Sequence, residues 1–417
     1  MKKIMVLTII IIVSIFSFFF YKNNIKEEKL IDLLENAKGE FEIDNYYIFG
    51  THFNFNACMD EKIEDMELVL KNNEEEIILT SDFYYNDDKT CFSISDKLND
   101  GIYLDDLKIG NYLLLVKINE EYYSFINKTE YKDLEYYTIT KNSKNNKIKI
   151  IFDNSDDKNY VEFKIKESKL PDNVYDIAID PGHGGKDSGA IGTLDGNNYY
   201  EANLTLNVAT KVKEELENYG LKVKLTRDSD VYLSNYDKGG RAVIPNQFNT
   251  KYSLSLHLNS STGNQKYGGV EVYIPNDVEL DFAELLSSNI AKEVDYSKKI
   301  TNKVSDGIYF TYFDENDIES AKKDMKEKKL TPYDIKLGAP YMYMIREVGG
   351  VCTYAYVDGR NDYYGLNPYY NSNKVSEPYL IEMAYMNYDS NLRKVVKEPK
   401  LVSNAIVESI VEYLNLS

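Results

Sequence analysis

The chain has 417 residues, more than one average domain holds, so two folded domains are expected. With 68 Asp and Glu against 49 Lys and Arg its net charge is −19, which argues against nucleic acid as a partner, because phosphate neutralisation by Lys and Arg carries that affinity. The same charge argues against contact with anionic polymers through a basic patch.

Taken in chain order, Lys2 and Lys3 precede an apolar run from Ile4 to Phe20. The run is short for a transmembrane helix, long for a signal-peptide core, and no A-x-A-like cleavage site follows it. Residues 1–22 are therefore read as an uncleaved signal-anchor, a single-pass transmembrane helix, with a cleaved signal as the alternative. Either way the rest of the chain lies outside the cytoplasm. Residues 23–40 read as a short helical linker, since Leu30, Leu33, Leu34 and Ala37 share a helix face before Gly39.

From 41 to 170 short apolar or alternating runs, such as EIILTSDFYY and GNYLLLVKI, are separated by Asn, Asp, Lys and Gly clusters. That spacing predicts an all-β, sandwich-like domain. Cys58 and Cys91 fall in it, either as a disulfide or as two buried thiols. Cys352 stands alone and reads as a small buried apolar residue, and His52, without a partner histidine, reads as structural. After Pro171 strand and helix alternate. VYDIAID, LKVKLTR, YSLSLHL, GGVEVYI and PYLIEMAY are strands; EANLTLNVATKVKEELENYG, DFAELLSSNIAKEV and LVSNAIVESIVEYL are helices. Residues 171–417 thus read as an α/β domain, a mostly parallel twisted sheet flanked by helices.

Three potential metal ligands stand out in this second domain. DPGHGG places His183 in a Gly-rich turn after a strand, Glu201 opens the next helix, and His257 ends YSLSLHL. Strand ends gather function in open α/β sheets, and a helix N-terminus favours a carboxylate. A His–Glu–His set leaves a fourth zinc position open for water of lowered pKa. Glu382, a carboxylate in the apolar strand PYLIEMAY, suits a general base whose surroundings raise its pKa. Each feature alone is ordinary; together they suggest a zinc hydrolase.

Residues 174–417 resemble the zinc-dependent N-acetylmuramoyl-L-alanine amidases of bacterial cell walls. The stretches that carry the likeness include IAIDPGHGGKDSGAIG, YEANLTLNVATKV, LKVKLTRDSD, YSLSLHLNSS, GGVEVYI, YMIREVGG and YLIEMAYMNYDSNLRKV. The resemblance implies zinc held by His183, Glu201 and His257, and catalysis by Glu382. It also implies cleavage of the amide between N-acetylmuramic acid and L-alanine in peptidoglycan. Arg346 and Asn259 are candidates for holding or orienting substrate, an ion pair and a turn being their structural alternatives. A zinc peptidase cutting elsewhere in the stem peptide, or an inactive wall-binding or regulatory protein, are the rival readings, and a regulatory protein partner stays open.

The chain departs from the family around the catalytic Glu, with Ala384 and Asn387 where Gly and Ser are usual. A surplus of residues lies at about 298–378. Its ENDIESAKKDMKEKK reads as an exposed charged helix. Its Tyr-rich YAYVDGRNDYYGLNPYYNSNK, with Tyr363, Tyr364, Tyr369 and Tyr370, reads as a wall or lid of the substrate groove, or as decoration.

Overall fold

A computed structural model describes residues 40–416 apart from short stretches, the longest being 95–100, 139–144, 262–267, 328–336 and 349–374, with Leu34, Ala37 and Lys38 ahead of them. The expected anchor over 1–22, most of the linker helix, Cys352 and the tyrosines from Tyr363 to Tyr370 lie outside the described residues. Among the described residues no helix is long and apolar enough to cross a membrane.

The N-terminal region is β throughout. One half holds β1 (Glu40–Phe49), β2 (His52–Met59) and, with β3 (Met66–Lys71) and β4 (Glu76–Leu79) belonging to the other half, β5 (Phe83–Asn86), β6 (Lys89–Ile94) and β7 (Ile102–Tyr103). The other half adds β8 (Gly110–Ile118), β9 (Glu121–Asn127), β10 (Leu134–Tyr137), β11 (Asn146–Asp153) and β12 (Tyr160–Glu167). β9 joins the halves, its start antiparallel to β8 and its end parallel to β1. Alternation explains the shared core: β11 turns Ile148, Ile150 and Phe152 inward and its lysines outward. Phe53 of one half meets Phe163 of the other edge-on, with ring centroids 5.6 Å apart. Cys58 of β2 and Cys91 of β6 are register partners and form a disulfide.

The second region is built on a seven-stranded sheet in the order β16-β13-β17-β21-β18-β20-β19. Its strands are β13 (Ile177–Pro181), β16 (Val223–Leu225), β17 (Tyr252–Asn259), β18 (Glu271–Tyr273), β19 (Lys303–Ser305), β20 (Ile308–Tyr309) and β21 (Glu377–Tyr385); β14 (Ile191–Leu194) and β15 (Asn197–Tyr200) form a separate hairpin. β16, β13, β17 and β21 run parallel. At one edge β18 runs antiparallel to β21 and β19 antiparallel to β20, so the sheet is mixed, with four of its six pairings parallel. Runs of two to three residues carry no directional signal, so that edge was not legible.

The helices are α1 (Glu201–Asn218), α2 (Val243–Gln247), α3 (Asp281–Val294), α4 (Glu315–Glu327), α5 (Tyr343–Arg346), α6 (Asp389–Lys397) and α7 (Pro399–Tyr413). α1 buries Leu204, Val208, Val212 and Leu216 at helical spacing, each such side chain contributing about 1.5–3 kcal/mol. α7, started by Pro399 in its first turn, packs between α1 and α3 over one sheet face. Ile381 and Met383 of β21 point into that layer. Leu380 points the other way, into a smaller cluster with Ala242, Tyr273, Tyr309, Met344 and Ile345. By strand alternation Glu382 shares the face of Leu380.

Candidate metal centre

The centre is built where β13, β17 and β21 end. In β17 and β21, His257 is the register partner of Glu382; in β21 and β18, Glu382 is the register partner of Glu271. Cross-strand partners point to one side of a sheet, so the three side chains form a row. His183 enters from the turn after β13 and Glu201 from the first residue of α1.

That turn is held by force of geometry. His183 itself has a left-handed φ of 61°, a conformation costly for a residue with a Cβ. Two buried arginines fix it. Arg227 donates to the carbonyls of Pro181 (2.9 Å), Gly182 (2.8 Å) and Ala202 (2.7 Å). Arg241 donates to Pro181 O (2.8 Å), to His183 O and to the buried Asp180 carboxylate (2.8 Å). Burial opposes ionisation of Asp180, but Arg241 and the hydroxyls of Thr226 and Ser255 hold it below the ordinary carboxylate range. Two glycines give the ligands room. A Cβ on Gly182 would stand 2.3 Å from the His257 ring, and one on Gly189 would stand 2.6 Å from Glu201 Oε2.

The convergence is tight. Glu201 Oε1 lies 3.1 Å from His183 Nε2 and 3.0 Å from His257 Nδ1, and the three donors all fall within 4.8 Å of one another. Ligand atoms of a tetrahedral zinc site, with bonds of about 2.0–2.1 Å, keep separations of roughly 3.3 Å, so the arrangement fits such an ion. His257 Nε2 is buried and has no hydrogen-bond partner among the described residues. Asp187 Oδ2, 2.9 Å from His183 Nδ1, orients that ring and leaves Nε2 for the centre. Glu201 is anchored by the N–H of Ala190 (2.8 Å) and of Leu258 (2.9 Å). Burial works against its charge, yet hydrogen bonds from His183 and His257 hold it well below the usual range. Burial, and then the like charges of Glu201 and Glu271, push Glu382 well above that range. Its Oε2 is enclosed without a hydrogen-bond partner among the described residues.

A cavity of about 310 Å³ opens over these groups, lined also by Ala190, Leu258, Asn259, Ser260, Met342, Tyr343 and Leu380. Asn259 thus lies at the site. Arg346 is not among the described residues that line the cavity. Its guanidinium is buried, donates to the carbonyls of Pro340 and Tyr341 at 2.8 Å each, and lies over the Phe313 ring. Arg346 clasps the segment that brings Met342 and Tyr343 to the cavity wall. The surplus at 298–378 is therefore not all appended. It supplies β19, β20 and part of the cavity, while its charged stretch forms the exposed helix α4.

Glu271, Arg227 and Arg241 were not picked out from the sequence. The signal for Glu271 is the one that marked Glu382, a carboxylate at the buried phase of a short apolar strand. For the arginines it is their scarcity, five in the chain against 44 lysines' worth of alternatives among the 49 basic residues.

The family model described as N-acetylmuramoyl-L-alanine amidase matches residues 177–329. A sporulation-specific N-acetylmuramoyl-L-alanine amidase of Bacillus subtilis is 35% identical over 128 residues, 30% of this chain and 46% of that protein. The amidase AmiA of Escherichia coli is 34% identical over 131 residues, 30% of this chain and 43% of that protein. The chain thus spans less than half the length of these two curated relatives. Among solved structures, the amidase AmiC2 of Nostoc punctiforme aligns over 58% of this chain and 98% of its own, at 23% identity and a TM-score of 0.37. An amidase of Clostridium difficile 630 aligns over 58% and 98%, at 20% identity and a TM-score of 0.37.

Proposed function

We propose that this chain, whose residues 177–329 match the N-acetylmuramoyl-L-alanine amidase family model, hydrolyses the amide bond between N-acetylmuramic acid and L-alanine in peptidoglycan. The observation that carries this reading is the convergence of His183, Glu201 and His257 on one point beside the enclosed carboxyl of Glu382. A zinc ion held by those three residues supplies a Lewis acid and a water of lowered pKa. Glu382 is the base that takes the water proton and returns it to the departing L-alanine nitrogen. Its raised proton affinity strengthens it for the first transfer, and the basicity of the departing amine draws the proton off in the second. Asp187 keeps His183 in the ligating tautomer, and the Arg227–Arg241 pair keeps its backbone in place. Met342 and Tyr343 wall the cavity against bulk water. The test is mass spectrometry of purified peptidoglycan digested with the zinc-loaded protein. Stem peptides with a free L-alanine amino group and muramic acid with a free lactyl carboxylate are expected. A cut inside the stem peptide would make it a peptidase, and no cut at all a binding protein.

Residues 4–20 are proposed to anchor the protein in the membrane with both folded regions outside. The sequence of that run supports this, as does the Cys58–Cys91 disulfide, a bond that persists in oxidising compartments. Protease added to intact spheroplasts should remove both regions; full protection would place them inside.

A further inference from the structure

Beside the metal centre lies a polar cluster to which the proposed reaction assigns no proton transfer. Its hub is Glu271, with no exposed surface. Oε2 accepts from Tyr273 OH (2.7 Å) and from Asn259 Nδ2 (3.1 Å); Oε1 accepts from Ser297 Oγ (2.5 Å) and from Tyr385 OH. Lys299 Nζ stands 3.7 Å from Oε2. Four donors on one carboxyl require an acceptor at every contact, which an ionised carboxylate provides.

The backbone is arranged to complete this cluster. His257 pairs with Glu382, but Asn259 pairs with Tyr385, so β21 carries one residue more than β17 between the two pairs. Such a bulge re-aims a side chain. It turns Tyr385 onto the face of Glu382, and the N–H of Met386 then donates to Asn259 O at 2.7 Å.

Asn259 connects the cluster to the cavity it lines. Its Oδ1 accepts from Ser260 N (2.7 Å), and Nδ2 gives one proton to Glu271 and the other to Tyr385 OH (3.3 Å). A carboxylate cannot donate, so the atom facing Glu271 must be the nitrogen, and the amide has one allowed orientation. Both donors are consumed there. What remains for a ligand is the second lone pair of Oδ1.

We propose that Glu271 is a positioning residue that locks the Asn259 amide, so that this rim of the cavity presents a hydrogen-bond acceptor and selects an N–H or O–H donor on the bound glycopeptide. The inference rests on the amidase reading for the chemistry of the ligand, not for the lock itself. In Glu271→Gln the single remaining carbonyl oxygen serves four former donors, and Asn259 is free to turn. In Glu271→Asp the charge stays but its reach shortens, with the same consequence for Asn259.

The test is NMR of the Asn259 side-chain amide in the full chain without metal, its signal assigned by loss in Asn259→Asp. The wild-type NH₂ protons should exchange with solvent at least about tenfold more slowly than those of exposed asparagines. Glu271→Gln, or Glu271→Asp if the first does not fold, should abolish that protection. In the folded variant KM for peptidoglycan should rise about fivefold, the scale of one hydrogen bond, with zinc content unchanged. Exposed-like exchange in the wild type, or protection that survives in a folded variant, overturns the proposal. If the wild type cuts no muramoyl–alanine bond, the amidase reading fails while the exchange rates still decide the role of Glu271.

Discussion

At the scale of single residues the centre depends on what is missing as much as on what is present. His257 can approach His183 and Glu201 only because Gly182 has no side chain. Gly182→Ala would put a methyl 2.3 Å from the His257 ring, and one of the two must move. Zinc affinity, measured by competition with a chelator, should fall about 10–100-fold, the scale on which ligand orientation acts, in a protein that still folds. Unchanged affinity would show that His257 is not held by this contact. The grouping of His183, Glu201 and His257 was legible because a His after a strand, a Glu opening a helix and a second His at a strand end share one edge of an α/β sheet. Asn259 was legible only as a neighbour of His257, and Glu271 only by the mark it shares with Glu382, a carboxylate within a short apolar strand. For Arg346 nothing in the sequence distinguishes a guanidinium bound to backbone carbonyls from one facing a ligand.

At the scale of elements, periodicity announced the long pieces. α1, α3 and α7 show apolar residues at helical spacing, and β11 strict alternation. The direction of β18, the strands β19 and β20, and the bulge before Tyr385 follow from tertiary pairing and were not legible. The far ends of β17 and β21 hold a second charged group. Lys251 pairs with Asp105 of the β region, and Glu377, the first residue of β21, lies in their field. Burial, with added repulsion from Asp105 and Asp281 against the pull of Lys251, pushes Glu377 up to about 7. Its folded value is thus above its unfolded one. The stability it contributes is full below the unfolded value of about 4.3 and is lost as pH rises through about 7. The unfolding midpoint should therefore fall between about pH 5 and pH 8, and Glu377→Gln should flatten that slope. An equal slope in the variant would assign the pH dependence elsewhere.

At the scale of the molecule, two hydrophobic cores meet along a polar seam. Lys251–Asp105 and Asn145–Asp176 (3.3 Å) cross it, and His52, which burial and then Lys251 push down to about 4, stays neutral beside it. The sequence separated the two regions by their periodicities, two against 3.6, but could not show how they join, because the groups at the seam are far apart in the chain. The candidate metal centre lies at the opposite, carboxyl-terminal ends of β17 and β21. The most direct test of the catalytic proposal is the Glu382→Gln protein, compared with His257→Ala, by zinc content and by rate on peptidoglycan. The account predicts that Glu382→Gln keeps its zinc and loses about 10²-fold or more in rate, the scale of general-base catalysis, whereas His257→Ala loses tightly bound zinc. A Glu382→Gln protein as fast as the wild type, or a His257→Ala protein with full zinc, would contradict it.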